Sequence, residues 1–208
     1  MKLPEITQII VVIIVLAFSV SLAKLSLQTF LISALFFVII FSVNIIAKKL
    51  MASYLQAGVE TKIWQVQRYF WYERSHFRYP IPAGVILPFI ISLLSLGSFP
   101  WLAATQSEIT VTKSRVAKRH GLYRFTEMTE FQIGLIPMMG ILACLILAII
   151  AYLIGQSELG KLAIFFASFN MIPLGNLDGT KIFFGSVIWW FIFAALCVIG
   201  LGYAVFLP

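Results

Sequence analysis

Residues 170–179 read Asn-Met-Ile-Pro-Leu-Gly-Asn-Leu-Asp-Gly and interrupt an otherwise apolar part of the chain. Pro173 cannot continue the hydrogen-bond ladder of a helix, so it predicts a break. Asn170, one turn earlier, carries an amide that can bond the backbone groups freed by that break. Gly179 permits a close approach of two backbone segments. Asp178 would then lie at the end of a broken helix, and a carboxylate costs about 2.5–3.5 kcal/mol at the bilayer centre.

A plain loop is the alternative interpretation of the same stretch. Asp178 and Gly179 would then form a turn outside the bilayer, and the carboxylate would be fully solvated. The two interpretations differ in the exposed fraction of Asp178 and in whether it has a partner.

The composition is that of a membrane protein. The chain is 61% hydrophobic and 11% charged, with a mean hydropathy of +1.00, whereas a soluble domain carries about 25% charged residues. The net charge is +7, and in a membrane protein an excess of Lys and Arg indicates cytoplasmic loops rather than nucleic-acid binding. The expected partner is therefore the lipid bilayer, and no nucleic acid.

Five apolar segments are long enough, or nearly so, to cross a hydrocarbon core of about 30 Å. They are 6–23, 25–47, 131–154, 162–179 and 182–207. A sixth segment, 84–104, is apolar but contains Pro88, Gly97 and Pro100. The predicted fold class is an all-α integral membrane protein in a single polytopic domain, with five to six transmembrane helices and short interfacial strands.

Two polar regions separate the apolar segments. Residues 48–83 are basic and aromatic, a mixture that suits the headgroup layer of a membrane. Within this region, residues 58–64 have the pattern of a strand. Residues 106–130 form a polar insert, and the alternation at 109–111 predicts a second strand.

The distribution of positive charge favours a re-entrant hairpin at 84–104. If all six segments crossed, the fifteen Lys and Arg residues would divide eight to seven between the two sides. If 84–104 enters and leaves by the same face, thirteen lie on one side, and only Lys24 and Lys161 lie on the other. The second arrangement obeys the positive-inside rule. It predicts five crossings, with the N-terminus and the main basic loops in the cytoplasm.

The stretch 170–179 resembles the second signature motif of the site-2 protease family, the intramembrane zinc metalloproteases. Asn170, Pro173, Asp178 and Gly179 stand at the spacing of that motif, just before a last hydrophobic helix. The resemblance implies that Asp178 matches the third zinc ligand of the family. It also implies that an earlier transmembrane helix carries the motif His-Glu-x-x-His.

The matching positions of the earlier helix lack this chemistry. Asn44 and Lys48 stand where the family has its two histidines, and Ile45 stands where it has the glutamate that polarises the attacking water. A protonated lysine cannot bind zinc, and an isoleucine cannot act as a base. No catalytic residue, no metal and no cofactor is therefore expected.

A buried ion pair is the predicted replacement for zinc. With the re-entrant hairpin, the segments 25–47 and 162–179 run in the same direction, so Lys48 and Asp178 end on the same side and can meet. Pairing would neutralise two charges that are costly to bury. The histidines His76 and His120 lie in separate polar regions without a second ligand at metal spacing.

The leading functional hypothesis is a catalytically inactive relative of site-2 proteases. Such a protein would bind transmembrane segments of client proteins or regulate an active homologue. Two alternatives stay open: an active intramembrane metalloprotease that binds zinc through unusual ligands, and an unrelated small transport or scaffold subunit of a membrane complex.

Overall fold

The computed structural model of the chain describes residues 4–23, 26–68, 76–112 and 128–206. About 70% of the described residues are helical, and the strands among them form small sheets. The described helices are α1 Glu5–Ser21, α2 Leu27–Tyr54, α3 Ala83–Leu94, α4 Glu130–Leu153, α5 Ser157–Asn170, α6 Asp178–Gly185 and α7 Val187–Phe206. The described strands are β1 Ala57–Ile63, β2 Val66–Arg68, β3 His76–Ile81 and β4 Thr105–Val111.

Three of the described helices are long and apolar enough to cross a membrane, namely α2, α4 and α7. This is fewer than the five to six crossings predicted from the sequence, which the structure does not support. The remaining apolar helices are short: α1 has 17 residues, α5 has 14 and α3 has 12. At a rise of about 1.5 Å per residue, none of these three reaches 30 Å.

Three predicted helix boundaries were wrong. The segment predicted to begin at 162 begins at Ser157, as α5. The segment predicted at 25–47 continues as α2 to Tyr54, because Lys48–Tyr54 contains no glycine or proline and consists largely of good helix formers. The last helix, predicted at 182–207, instead begins at Asp178 as α6 and is interrupted at Ser186, whose backbone is extended.

The segment 84–104 begins and ends beside Trp64. α3 runs outward as far as Leu94, and the chain then reverses through Gly97, which has a φ of +79°. Both ends of the segment bond the backbone of Trp64: Gly84 N donates to Trp64 O at 2.9 Å, and Trp64 N donates to Ala104 O at 2.9 Å. The path is therefore a hairpin, although Pro88 lies inside α3 rather than ending it.

Both predicted strands are present in one antiparallel pair. β1 pairs with β4, with Gly58 opposite Thr110 and Ile63 opposite Thr105. The opposite edge of β1 is covered by side chains of α1, since Glu5 Oε1 accepts from Thr61 N at 3.0 Å. β2 and β3 form a second antiparallel pair.

The core lies between α2, α4 and α5. It includes Phe37 and Phe41 of α2, Ile141 of α4 and Phe166 of α5, all essentially inaccessible to solvent. The rings of Phe41 and Phe166 meet edge to face, with 5.0 Å between their centroids. This packing fixes the rotation of α2 and so determines which of its polar residues face inward.

Candidate functional site

α2 directs two polar side chains into the protein interior. Asn44 and Lys48 are four residues apart and therefore lie on one face of the helix. Their exposed fractions are 2% and 1%. Ile45 is only half buried and turns away from this face. The helix thus presents Asn44 and Lys48 together on its buried face.

The break predicted at Pro173 is present. α5 ends at Asn170, whose amide Nδ2 donates to Phe166 O at 2.8 Å. The carbonyl of Met171, which follows, accepts a hydrogen bond from Trp190 Nε1 at 3.1 Å. Gly179 lies so close to the backbone of Met171 that a Cβ would overlap its carbonyl group.

Asp178 is the first residue of α6 and is buried, with 1% of its surface exposed. Burial rules out the solvated turn that was the alternative interpretation of this stretch. The position at the start of a helix is favourable for a carboxylate, because the N-terminal N–H groups carry partial positive charge.

Lys48 and Asp178 form the predicted ion pair. Lys48 Nζ lies 2.5 Å from Asp178 Oδ2, and 130 residues separate the two positions in sequence. Both side chains are 1% exposed. A buried pair of this kind is strongly coupled, since removal of either partner leaves the other charge in a poorly solvated position.

α4 packs against Lys48 and Asn44. A Cβ on Gly140 would lie 2.6 Å from Lys48 Cε and 2.9 Å from Asn44 Nδ2. Asn44 Nδ2 also donates to Cys144 Sγ at 3.5 Å. Neither Gly140 nor Cys144 was predicted as a site residue, because no local pattern links α4 to α2.

Two further residues beside Asp178 were missed. Lys181, one helical turn later, is a second cation near the carboxylate, and the hydroxyl of fully buried Ser107 on β4 lies beside it. Partial burial and the charge of Lys48 lower the pKa of Lys181, while the carboxylate of Asp178 opposes this decrease. The three-residue spacing of Asp178 and Lys181 in one helix could have predicted that Lys181 lies near the carboxylate. No local sequence pattern predicts that Ser107 lies there.

The Ser107 hydroxyl is a hydrogen-bond partner of the Asp178 carboxylate. Asn170 Oδ1 is buried and has no hydrogen-bond partner in the part of the chain that the structure describes. An unpaired buried polar atom of this kind is costly.

Two cavities adjoin the site. The larger, which we call the polar cleft, has a volume of about 1010 Å³ and is lined in part by Glu5, Glu60, Lys62, Ser107, Asn176 and Lys181. The smaller, which we call the side pocket, has about 290 Å³ and is lined in part by Glu130, Asn176, Thr180 and Lys181. Asn176 and Lys181 border both cavities and so lie where the two meet.

The donor set of the site does not fit zinc. Asn44, Ile45 and Lys48 present an amide, an alkyl group and an ammonium, and the ammonium already lies on Asp178. The described residues contain no group of three or more His, Cys, Asp or Glu that could hold a metal ion. His76 begins β3, while the residues just before it and His120 lie outside the described ranges.

The arrangement therefore holds charge in the protein interior, with the carboxylate of Asp178 occupied by the ammonium of Lys48. Compared with models of known protein families, with curated proteins and with solved structures, the chain matches none of them.

Proposed function

We propose that this chain is a non-catalytic relative of site-2 proteases that binds transmembrane segments of other membrane proteins. The observation that carries the proposal is the Lys48–Asp178 ion pair. Lys48 stands at a position that the family fills with a zinc-binding histidine, and Asp178 at the position of the third ligand. An internal ammonium thus neutralises the carboxylate that zinc would otherwise neutralise.

The geometry around the pair supports common descent with the metal site. Asn44 and Lys48 share one face of α2, and Asp178 follows the break after α5. All three side chains are buried. An apolar pocket of about 420 Å³ at the break after α5, lined in part by Phe169, Pro173 and Trp190, offers room for apolar side chains of a client segment.

For the membrane arrangement, we propose a multi-pass protein with five crossings and a re-entrant hairpin at 84–104. The closed path of this segment at Trp64 favours entry and exit by one face. The proposal places the N-terminus and the main basic loops in the cytoplasm, following the charge distribution.

Restoration of the metal site is the direct test. The triple variant Asn44→His/Ile45→Glu/Lys48→His is expected to bind about one zinc ion per chain, because it supplies two neutral imidazoles beside Asp178. The unmodified protein is expected to bind no stoichiometric zinc. Metal content would be measured by mass spectrometry on detergent-solubilised protein that unfolds cooperatively.

The controls separate the possible results. Adding Asp178→Ala to the triple variant should remove its zinc, which shows that the third ligand is the expected one. A folded triple variant without zinc would contradict the alignment of Asn44 and Lys48 with the family histidines. Stoichiometric zinc in the unmodified protein, lost in Asp178→Ala, would instead favour an active metalloprotease with unusual ligands.

A further inference from the structure

The side pocket lies where two of the apolar helices begin. α4 begins at Glu130 and α7 at Val187, and both are long and apolar enough to cross a membrane. The two starts are neighbours, because a Cβ on Gly185, just before α7, would lie 2.9 Å from Glu130 O. Since a spanning helix begins close to the edge of the hydrocarbon core, this pocket lies at the level of the lipid headgroups.

Two opposite charges line the side pocket without pairing. Glu130 and Lys181 both border it, and neither belongs to an ion pair among the described residues. The carboxylate of Asp178 lies near Lys181, but Lys48 already holds its Oδ2 atom. The pocket therefore presents one carboxylate and one ammonium to a molecule that enters it.

A hydroxyl group lies in the same pocket. Thr180 precedes Lys181 on α6 and also borders the pocket. Its Oγ1 atom is buried and has no hydrogen-bond partner in the described part of the chain. A hydroxyl that is buried without a partner is costly, and this one is able to donate to a phosphate oxygen. A ligand in the pocket would supply the missing partner.

The rim of the side pocket is apolar. Phe184, at the end of α6, borders the pocket and is 68% exposed. Aromatic rings of this kind are enriched at membrane–water interfaces, where they contact the upper part of the lipid chains. The polar interior and the apolar rim together match a lipid, whereas a free zwitterion in solution would use the polar interior alone.

The size of the side pocket limits the ligand to a small group. Its volume is about 290 Å³, at the lower end of the 300–1,000 Å³ that is usual for ligand pockets, roughly speaking. A headgroup with a primary amine fits such a space better than one that carries three N-methyl groups.

We propose that the side pocket binds the headgroup of phosphatidylethanolamine, with Lys181 and Thr180 on the phosphate and Glu130 on the ammonium. The headgroup then matches the pocket charge for charge. Phosphatidylglycerol has no cation for Glu130, and the quaternary ammonium of phosphatidylcholine cannot donate a hydrogen bond to it. This inference does not depend on a relation to site-2 proteases.

The test is native mass spectrometry of the full-length protein in detergent, with an equimolar mixture of the three lipids. The measured quantity is the abundance of protein that carries one molecule of each lipid. Phosphatidylethanolamine is expected to exceed phosphatidylglycerol by about fivefold, the upper end of what an exposed ion pair supplies. A smaller excess over phosphatidylcholine is expected.

Substitutions separate the two halves of the headgroup. Glu130→Gln should abolish the preference for phosphatidylethanolamine, because it removes the partner of the ammonium. Lys181→Gln and Thr180→Val should instead weaken the binding of all three lipids alike, because the phosphate is common to them. Glu158→Gln is the matched control, since Glu158 is also an exposed acid in the first turn of a helix, α5, but does not line the pocket. Thermal unfolding midpoints establish that each variant is folded.

Three results would overturn the inference. They are equal binding of the three lipids, an unchanged preference in folded Glu130→Gln, and an equal loss of preference in Glu158→Gln. If Lys181→Gln does not fold, Thr180→Val and Glu130→Gln decide the outcome. Soluble glycerophosphoethanolamine that binds as tightly as the intact lipid would overturn the assignment to a membrane lipid, because the apolar rim would then contribute nothing.

Discussion

Gly140 of α4 lies directly against the Lys48 side chain, with space for a hydrogen atom but not for a methyl group. A Cβ at this position would lie 2.6 Å from Lys48 Cε. The close approach of α4 to α2 is therefore what holds the lysine against Asp178. Small residues at helix contacts allow this kind of approach in membranes.

Gly140→Ala is expected to destabilise the protein by about 1–3 kcal/mol, the usual cost of inserting a methyl group into a packed interior. Gly202→Ala is the matched control, since a Cβ on Gly202 of α7 meets nothing within 4 Å. It should be neutral or slightly stabilising, because alanine favours a helix more than glycine does. Equal thermal midpoints for the two variants in detergent would show that the contact does not constrain the site.

Substitution of Asp178 should lower the free energy of unfolding more than substitution of Lys48 does. Asp178→Asn leaves two lysines without a carboxylate and is expected to cost about 3–5 kcal/mol. Lys48→Met should cost less, because Lys181 remains near Asp178. The free energies of unfolding would be compared in mixed detergent micelles of increasing SDS fraction.

The double variant Lys48→Met/Asp178→Asn tests the coupling itself. Once Asp178 is substituted, removal of the Lys48 charge should leave the free energy of unfolding unchanged or raise it. The coupling free energy between the two substitutions is then expected to be about 0.5–3 kcal/mol. Simple additivity of the two single substitutions would mean that the contact contributes nothing to stability.

The Lys48–Asp178 contact could be predicted from sequence because two unrelated signals agreed on it. The resemblance to the two family motifs singled out Lys48 and Asp178, and the distribution of basic residues placed both side chains on one side of the membrane. The break after Asn170 was likewise predictable, since Pro173 acts locally.

The rest of the site could not be predicted, because its members come from distant parts of the chain. Ser107 reaches Asp178 only through the pairing of β4 with β1, and Gly140 reaches Lys48 only through helix packing. Neither relationship leaves a local pattern. The sequence predicts more crossings than the described chain has helices of spanning length, because hydropathy gives the length of an apolar segment, and not where the helix inside it ends.

Trp190→Phe is expected to cost about 1 kcal/mol of stability. The phenyl ring keeps most of the packing, but Met171 O loses the hydrogen bond from Trp190 Nε1 just after the end of α5. Trp189→Phe is the control, because Trp189 is 43% exposed on the adjacent position of α7. A similar shift of the thermal midpoint in both variants would show that aromatic volume, and not the hydrogen bond, is what matters.

The protonation of Lys181 should depend on Asp178. The carboxylate favours the ammonium, so Asp178→Asn should lower the pKa of Lys181 further below its usual value. At a fixed mildly alkaline pH, the variant would then hold a larger fraction of neutral amine and react faster with an acylating reagent. The acylation rate of Lys181 would be followed by peptide mass spectrometry, with Lys161 as an internal reference.

Lys48→Met should raise the pKa of Lys181 and slow its acylation, because the charge of Lys48 lowers that pKa. Unchanged or slower acylation of Lys181 in Asp178→Asn would contradict the proximity of the two groups.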